Sequence, residues 1–289
     1  MRHTVRPSFR DIVHGYLVLP HAVPIIVVMS ATAAFALVAA RGWPGAGPMG
    51  WLLLAMFGGQ LAVGAINEIV DAPLDAQSRP SKPIPAGLVT LRGAWLMAII
   101  GLVVMTVASL TFGIPVFLVC AFGTGVGIAY SVWFKRTIWS WVPYLVALPL
   151  LPIWVWLALS TVDPGLYAIY PIGAAAVIAV QIAQSLPDVE ADTRAHVRTL
   201  AVALGARWAL LACWGALALA AVLAAVLAPW LTDSPHWVWI MAVIAGVLIA
   251  VNAAIWSRDR RRGVLASFPC VSVGAVALGI GWALALIGA

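Results

Sequence analysis

An all-α, polytopic membrane protein is the fold class the sequence predicts, and three observations predict it. Of 289 residues, 64% are hydrophobic and 9% are charged, with a mean hydropathy of +1.05, outside the range of soluble domains. The apolar residues fall into runs of the roughly 20 residues that cross a bilayer as a helix. The basic residues gather in every second linker between those runs.

Nine spans follow in order. Residues 16–40 form the first, after a cytoplasmic segment, 1–15, with Arg2, Arg6 and Arg10. This run exceeds a signal-peptide core and shows no cleavage site, so it is read as a retained helix. The others are 50–70, 93–112, 114–133, 139–161, 167–187, 207–231, 237–256 and 264–288. Arg79, Lys82 and Arg92 follow the second span, and Lys135 and Arg136 the fourth. Arg194, Arg198 and Arg207 follow the sixth, and Arg258, Arg260, Arg261 and Arg262 the eighth. Fifteen of the 16 basic residues therefore share one side, with Arg41 alone on the other. The positive-inside rule makes that side cytoplasmic and places the C-terminus outside, in a cell (inner) membrane. Topology and attraction to membrane lipid account for the net charge of +6, which gives no reason to invoke nucleic acid. Residues 1–289 read as a single transmembrane domain.

Six of the ten acidic residues lie in two short stretches, Asn67-Glu68-Ile69-Val70-Asp71-Ala72-Pro73-Leu74-Asp75 and Asp188-Val189-Glu190-Ala191-Asp192. They end spans two and six, where carboxylates next to hydrocarbon carry a cost that implies use. The pairs Asn67/Asp71, Asp71/Asp75 and Asp188/Asp192 are spaced i,i+4, the spacing of one helical face. Pro73 is expected to end or kink its helix near Ala72, so that Asp75 arrives from the start of the loop. The loop itself, Arg79-Pro80-Ser81-Lys82-Pro83-Ile84-Pro85-Ala86-Gly87, is stiffened by three prolines and sets two cations beside the carboxylates. That spans two and six end alike predicts two parallel halves meeting at a shared site.

Oxygen-only ligands suit a hard divalent cation, Mg²⁺ before Zn²⁺. Two acidic clusters facing one cavity repel each other, and bridging ions with an anionic ligand relieve the repulsion. A diphosphate fits: Mg²⁺ links carboxylate to phosphate, and Arg79, Lys82, Lys135, Arg194 and Arg198 supply contacts to the remaining oxygens. Apolar spans holding many of the 15 Trp suit an isoprenoid tail on that head group. Loss of diphosphate then leaves an allylic cation that aromatic faces stabilise.

At this point the motifs resemble those of the UbiA-type intramembrane prenyltransferases. Asn67-Glu68-x-x-Asp71-x-x-x-Asp75 with Arg79-Pro80 and Pro85-Ala86-Gly87 is similar to that family's first motif. Asp188-Val189-Glu190-Ala191-Asp192 with Arg198-Thr199-Leu200 is similar to its second, and Tyr130-Ser131-x-x-x-Lys135 to its tyrosine–lysine element. The resemblance implies a helical bundle around a central cavity. It implies Mg²⁺-dependent transfer of a prenyl group from a prenyl diphosphate to an aromatic or lipid-like acceptor. It further implies that Asn67, Asp71, Asp75, Asp188 and Asp192 hold the Mg²⁺–diphosphate, with Arg79, Lys82 and Lys135 contacting phosphate, while Arg194 and Arg198 stay candidate substrate contacts from their charge and position. Asp71, Asp188, Lys135 and Tyr130 are then the catalytic candidates. Glu68 stands where the family usually has Asp, and Leu19-Pro20-His21 where many members have Arg-Pro. A terpene cyclase of the same family, with no acceptor, and a transporter are the alternatives. The scarcity of ionisable residues in the outer halves of the spans argues against ion conduction.

Other features have plainer readings. His14, His21 and His196 lack metal-ligand spacing and are read as satisfied or interfacial. Gly123-x-Gly125-x-Gly127 is read as close helix packing. Gln181, Gln184 and Asp188 share a face, and Asn252 is an intramembrane amide suited to helix–helix hydrogen bonding. Cys120, Cys213 and Cys270 are read as small buried thiols without a disulfide.

Overall fold

The computed structural model describes residues 8–160, 165–194 and 197–287, and no strand occurs among them. Eleven helices do: α1 (Phe9–Val18), α2 (Ala22–Ala39), α3 (Ala46–Ser78), α4 (Leu91–Leu110), α5 (Ile114–Ala129), α6 (Val142–Leu159), α7 (Gly165–Ser185), α8 (Val189–Arg194), α9 (Leu200–Leu231), α10 (His236–Arg258) and α11 (Arg260–Ile287). Among the described residues eight helices are long and apolar enough to cross a membrane, and a further apolar helix, Pro24–Ala39, is shorter. The predicted all-helical membrane class is thus the observed one.

The expected first span, 16–40, is not one helix. It breaks at Leu19-Pro20-His21, where His21 takes a left-handed φ of 56°. Pro20 cannot supply a helical N–H, and the chain turns there from α1 into α2. α1 opens on a reciprocal cap: Asp11 N–H donates to Ser8 Oγ at 3.2 Å, and Ser8 N–H donates to Asp11 Oδ2 at 2.9 Å. The Ser8 hydrogen bonds hold the Asp11 carboxyl below its ordinary pKa.

The chain divides into two compact units. One takes the residues up to Leu37, Trp43–Val132 and Leu157–Leu159; the other takes Val38–Gly42, Trp133–Trp156 and the rest from Ser160. In the first unit α3 and α4 pack along a seam of small residues: Ala55, Gly58, Ala62 and Ala65 against Ala94, Ala98, Gly101 and Ala108, all buried. A Cβ on Gly58 would lie 2.6 Å from both the Gly101 carbonyl oxygen and the Met105 nitrogen. The Gly123-x-Gly125-x-Gly127 stretch was expected to provide such packing. Only Gly127 does, with Val63 3.0 Å from its virtual Cβ, while Gly123 and Gly125 have nothing within 4 Å.

The second unit is built on α7, α9, α10 and α11, whose core includes Ile182, Leu186, Leu210, Cys213, Leu217, Val271 and Trp282. Asn252, fully buried, ties three of these helices together. It accepts from Trp214 Nε1 on Oδ1 at 2.8 Å and donates from Nδ2 to the Gly263 carbonyl at 2.9 Å. Asn252→Leu strands both partners and is expected to lower stability by about 1 kcal/mol, the scale of interhelical hydrogen bonds in membranes. Thermal unfolding of the detergent-solubilised protein measures it. Cys213 donates to the Ala179 carbonyl at 3.2 Å, and the three cysteines are free thiols.

Candidate active site

The first acidic stretch lies on the last three turns of α3, and Pro73 does not end that helix. α3 runs on to Ser78, which corrects the expectation that Asp75 arrives from the loop. A proline inside a helix forfeits one hydrogen bond and crowds the carbonyl four residues back, but the helix absorbs it here. Glu68, Asp71 and Asp75 are consequently spaced i, i+3, i+7 on one face, and all three are buried: 1%, 7% and 5% exposed. Asn67, on the adjoining position, is half-buried.

Three buried carboxylates in one stripe need cations, and the loop after α3 brings one. Lys82 Nζ donates to Glu68 Oε1 at 2.6 Å and pairs with Asp75 Oδ2 at 2.9 Å. Desolvation pulls the ammonium pKa down, but the Glu68 hydrogen bond and the charges of Glu68 and Asp75 outweigh it, and the pKa ends raised. The loop holds Lys82 in place through its own backbone. Leu88 N–H and Val89 N–H both donate to the Pro83 carbonyl, at 3.0 and 3.1 Å, and Ala86 N–H donates to the Lys82 carbonyl at 2.9 Å. Gly87, at φ 72°, makes the reversal possible. Val89 then packs with Leu19, Ala65, Ile66, Ala94 and Ala98 beneath the loop.

A second partner of Glu68 is His21, which the sequence presents as a satisfied or interfacial histidine. Its Nε2 lies 2.9 Å from Glu68 Oε1, so it is satisfied, and by a site residue. The reason is packing. Gly64, one turn before Glu68, lets the Pro20 backbone rest on α3: a Cβ there would lie 2.7 Å from the Pro20 oxygen. The corner between α1 and α2 therefore carries His21 over Glu68. The sequence held a faint signal for this, an ionisable residue beside a proline inside an apolar run. Its pairing across 47 residues is not readable from spacing.

The remaining candidates fall in different places. Arg79 is exposed at the end of α3, its backbone N–H donating to the Asp75 carbonyl at 2.7 Å. Tyr130 opens a π-helical turn, Tyr130–Phe134, with Lys135 directly after it and both half-buried; such widened turns recur at functional sites. Asp188 ends a 3₁₀ turn, Leu186–Asp188, and α8 continues from it through Asp192. Desolvation and the neighbouring Asp188 charge raise the Asp192 pKa. Arg194 pairs with Glu190 at 3.5 Å on an exposed surface, and Arg198 is exposed. Thr199 caps α9 by accepting from Val202 N–H at 3.3 Å, and Gly205, at φ 73°, interrupts that helix after its first turn. Gln181 Oε1 is buried without a hydrogen-bond partner, and Gln184 is exposed. His196 lies outside the described residues.

Whether a divalent ion fits is decided on α3. Asp75 Oδ2 is buried with no aligned hydrogen-bond donor, its Lys82 contact being an off-axis ion pair. An anionic oxygen so placed suits a hard cation. Among the described residues no three His, Cys, Asp or Glu side chains converge to hold a metal by themselves. That matches the habit of Mg²⁺, which binds through one or two carboxylates and completes its shell with water and phosphate oxygens.

An all-helical membrane protein with a buried carboxylate–lysine cluster at the end of a span defines a class of intramembrane enzyme. The chain belongs to the UbiA prenyltransferase family, whose sequence model matches residues 27–277. It is a multi-pass membrane prenyltransferase. It is 28% identical over 195 residues to the digeranylgeranylglyceryl phosphate synthase of Natronomonas pharaonis, a match covering 66% of this chain and 69% of that one. A solved digeranylgeranylglyceryl phosphate synthase superposes with a TM-score of 0.80 at 16% identity, over 96% of this chain and 100% of its own. A UbiA homologue from Archaeoglobus fulgidus bound to GPP and Mg²⁺ superposes with a TM-score of 0.71 at 18% identity, over 95% of this chain and 100% of its own. At these identities the two structures establish the fold.

Proposed function

We propose that the chain transfers a prenyl group from a prenyl diphosphate to a lipid-like or aromatic acceptor, releasing diphosphate at the cytoplasmic side of the membrane. The observation that carries this reading is the buried face Glu68–Asp71–Asp75 with Lys82 laid across it. A cluster of that make-up is arranged for a charged head group, not for hydrocarbon. The synthase from Natronomonas pharaonis and the homologue that binds GPP with Mg²⁺ support the same donor chemistry, and the synthase favours a lipid-like acceptor.

In this reading Asn67, Asp71, Asp75, Asp188 and Asp192 hold Mg²⁺, which when bound neutralises the diphosphate and makes it a better leaving group. Lys82, Arg79, Lys135, Arg194 and Arg198 would contact phosphate oxygens, and Tyr130 is a catalytic candidate with them. The C1–O bond of the donor breaks with its electron pair leaving on diphosphate, and the acceptor's nucleophilic atom forms the new bond to C1 and releases its proton to the departing diphosphate or to water. Apolar spans keep water from taking the acceptor's place.

The test is incubation of the purified protein with labelled prenyl diphosphates of several lengths, with and without divalent ion, against glycerolipid and aromatic acceptors. A prenylated product that requires both acceptor and divalent ion is the expected outcome. A cyclic hydrocarbon or alcohol formed from the donor alone would replace transfer with cyclisation.

A further inference from the structure

We propose that Lys82 is a resident counter-ion of Asp75 in the ligand-free protein, and that Glu68, braced by His21, is a positioning residue for Lys82 and not a metal ligand. This rests on the reading of the site given above and concerns how its metal and diphosphate are admitted.

Glu68 and Asp75 hold Lys82 unequally. Glu68 is 1% exposed, and its Oε1 already takes two nitrogens, Lys82 Nζ at 2.6 Å and His21 Nε2 at 2.9 Å. A buried carboxylate with both partners supplied from inside the protein has its charge compensated, and losing either partner is costly. Asp75 Oδ2 has only the off-axis contact with Lys82 at 2.9 Å and no aligned donor. Of the two grips on Lys82, the one on Asp75 is the looser and yields first.

The surroundings fix Glu68 and leave the ammonium free to turn. The Pro20–Gly64 contact sets the corner that carries His21, and the loop bearing Lys82 is closed by its bonds to the Pro83 carbonyl. Leu19 of the corner and Val89 of the loop end belong to one buried cluster. Lysine presents three donors on a flexible four-carbon stem. Nζ can therefore keep Glu68 and exchange Asp75 for a phosphate oxygen without movement of the backbone.

A consequence follows for binding order. A divalent ion arriving alone competes with an ammonium already seated at Asp75. A diphosphate draws that ammonium to itself and uncovers the oxygen. Metal and diphosphate therefore bind with positive coupling, and each raises the affinity of the other by the same factor.

The experiment is Mn²⁺ binding, followed by its paramagnetic signal, to the full chain in lipid nanodiscs with and without inorganic diphosphate. Lys82→Met is expected to tighten Mn²⁺ binding without diphosphate about tenfold and to remove most of the diphosphate-dependent gain, because a positive charge within contact distance is gone. Lys82→Arg keeps the charge and should behave as the parent does. Lys82→Met leaves Glu68 short of a partner, so the double variant Glu68→Gln/Lys82→Met, which removes both charges, is the second arm and should show the same tightening. Glu68→Gln alone should leave Mn²⁺ affinity in the presence of diphosphate within about twofold of the parent, the margin that separates a positioning role from a lost ligand. The counter-ion role is overturned if neither Lys82→Met nor Glu68→Gln/Lys82→Met binds Mn²⁺ more tightly than the parent. The positioning role is overturned if Glu68→Gln loses Mn²⁺ as Asp71→Ala does. Undiminished Mn²⁺ binding in Asp71→Ala would instead remove the metal assignment of the proposed function, a separate failure.

Discussion

Asp71→Ala is expected to lower kcat/KM for the prenyl diphosphate by about 10³-fold, the scale of removing one preorganised electrostatic contact to a developing charge, or more. Asp71 is 7% exposed and central in the α3 stripe, one turn from Glu68 and one turn from Asp75. Alanine is the best helix former, so the substitution removes the carboxylate without weakening α3 itself. The loss in turnover should therefore far exceed any change in thermal stability. Asp188→Ala should act with similar force, although Asp188 ends a 3₁₀ turn and is exposed in the ligand-free chain. Its burial gives no warning of its importance, whereas that of Asp71 does. Asp233, in the linker before α10, is the control: its alanine variant should retain parental activity. The assay is release of diphosphate with saturating acceptor. Near-parental turnover in both Asp71→Ala and Asp188→Ala would sink the assignment of these two stretches.

The fold class was legible because hydrocarbon imposes one-dimensional rules. A helix must be apolar for its full length, so span limits appear in composition and need no knowledge of contacts. The acidic stretches stand out for the same reason, since six carboxylates at two membrane edges carry a cost beside hydrocarbon. What failed was whatever depends on how one element meets another. Pro73 signals a helix end by local chemistry, yet α3 continues through it to Ser78. Leu19-Pro20-His21 lies within an unbroken apolar run, so hydropathy alone merges α1 with α2. His21 and Glu68 are 47 residues apart, and only the Pro20–Gly64 approach brings them together. Lys82 was named as a phosphate contact from its place in the loop, but its present partners, Glu68 and Asp75, depend on how the Pro83–Val89 segment folds back.

The helix seam gives the clearest case of two glycines that look alike in sequence and differ in consequence. Gly58→Leu is expected to destabilise the protein by about 2–3 kcal/mol, the cost of overpacking a filled contact. The atoms a new Cβ meets are the Gly101 oxygen and the Met105 nitrogen, each at 2.6 Å. Both are backbone, so no side chain can swing aside, and α4 must move bodily away from α3. The facing residue, Gly101, has the mirror relation, with the Gly58 oxygen at 2.6 Å and the Ala62 nitrogen at 2.8 Å from its own virtual Cβ. Gly123→Leu is the matched control, because nothing lies within 4 Å of its virtual Cβ, and a change at an open position should cost less than about 0.5 kcal/mol. Thermal midpoints in the same detergent compare the two. Gly58 precedes Asp71 by 13 residues on one helix, about 20 Å at the rise of an α-helix. Gly58→Leu should therefore lose activity in step with its loss of folded protein, while Asp71→Ala should lose activity far beyond any loss of folded protein. A Gly58→Leu chain as stable as the parent would mean that α3 and α4 tolerate separation. The small-residue seam would then be incidental to how the carboxylate face is held.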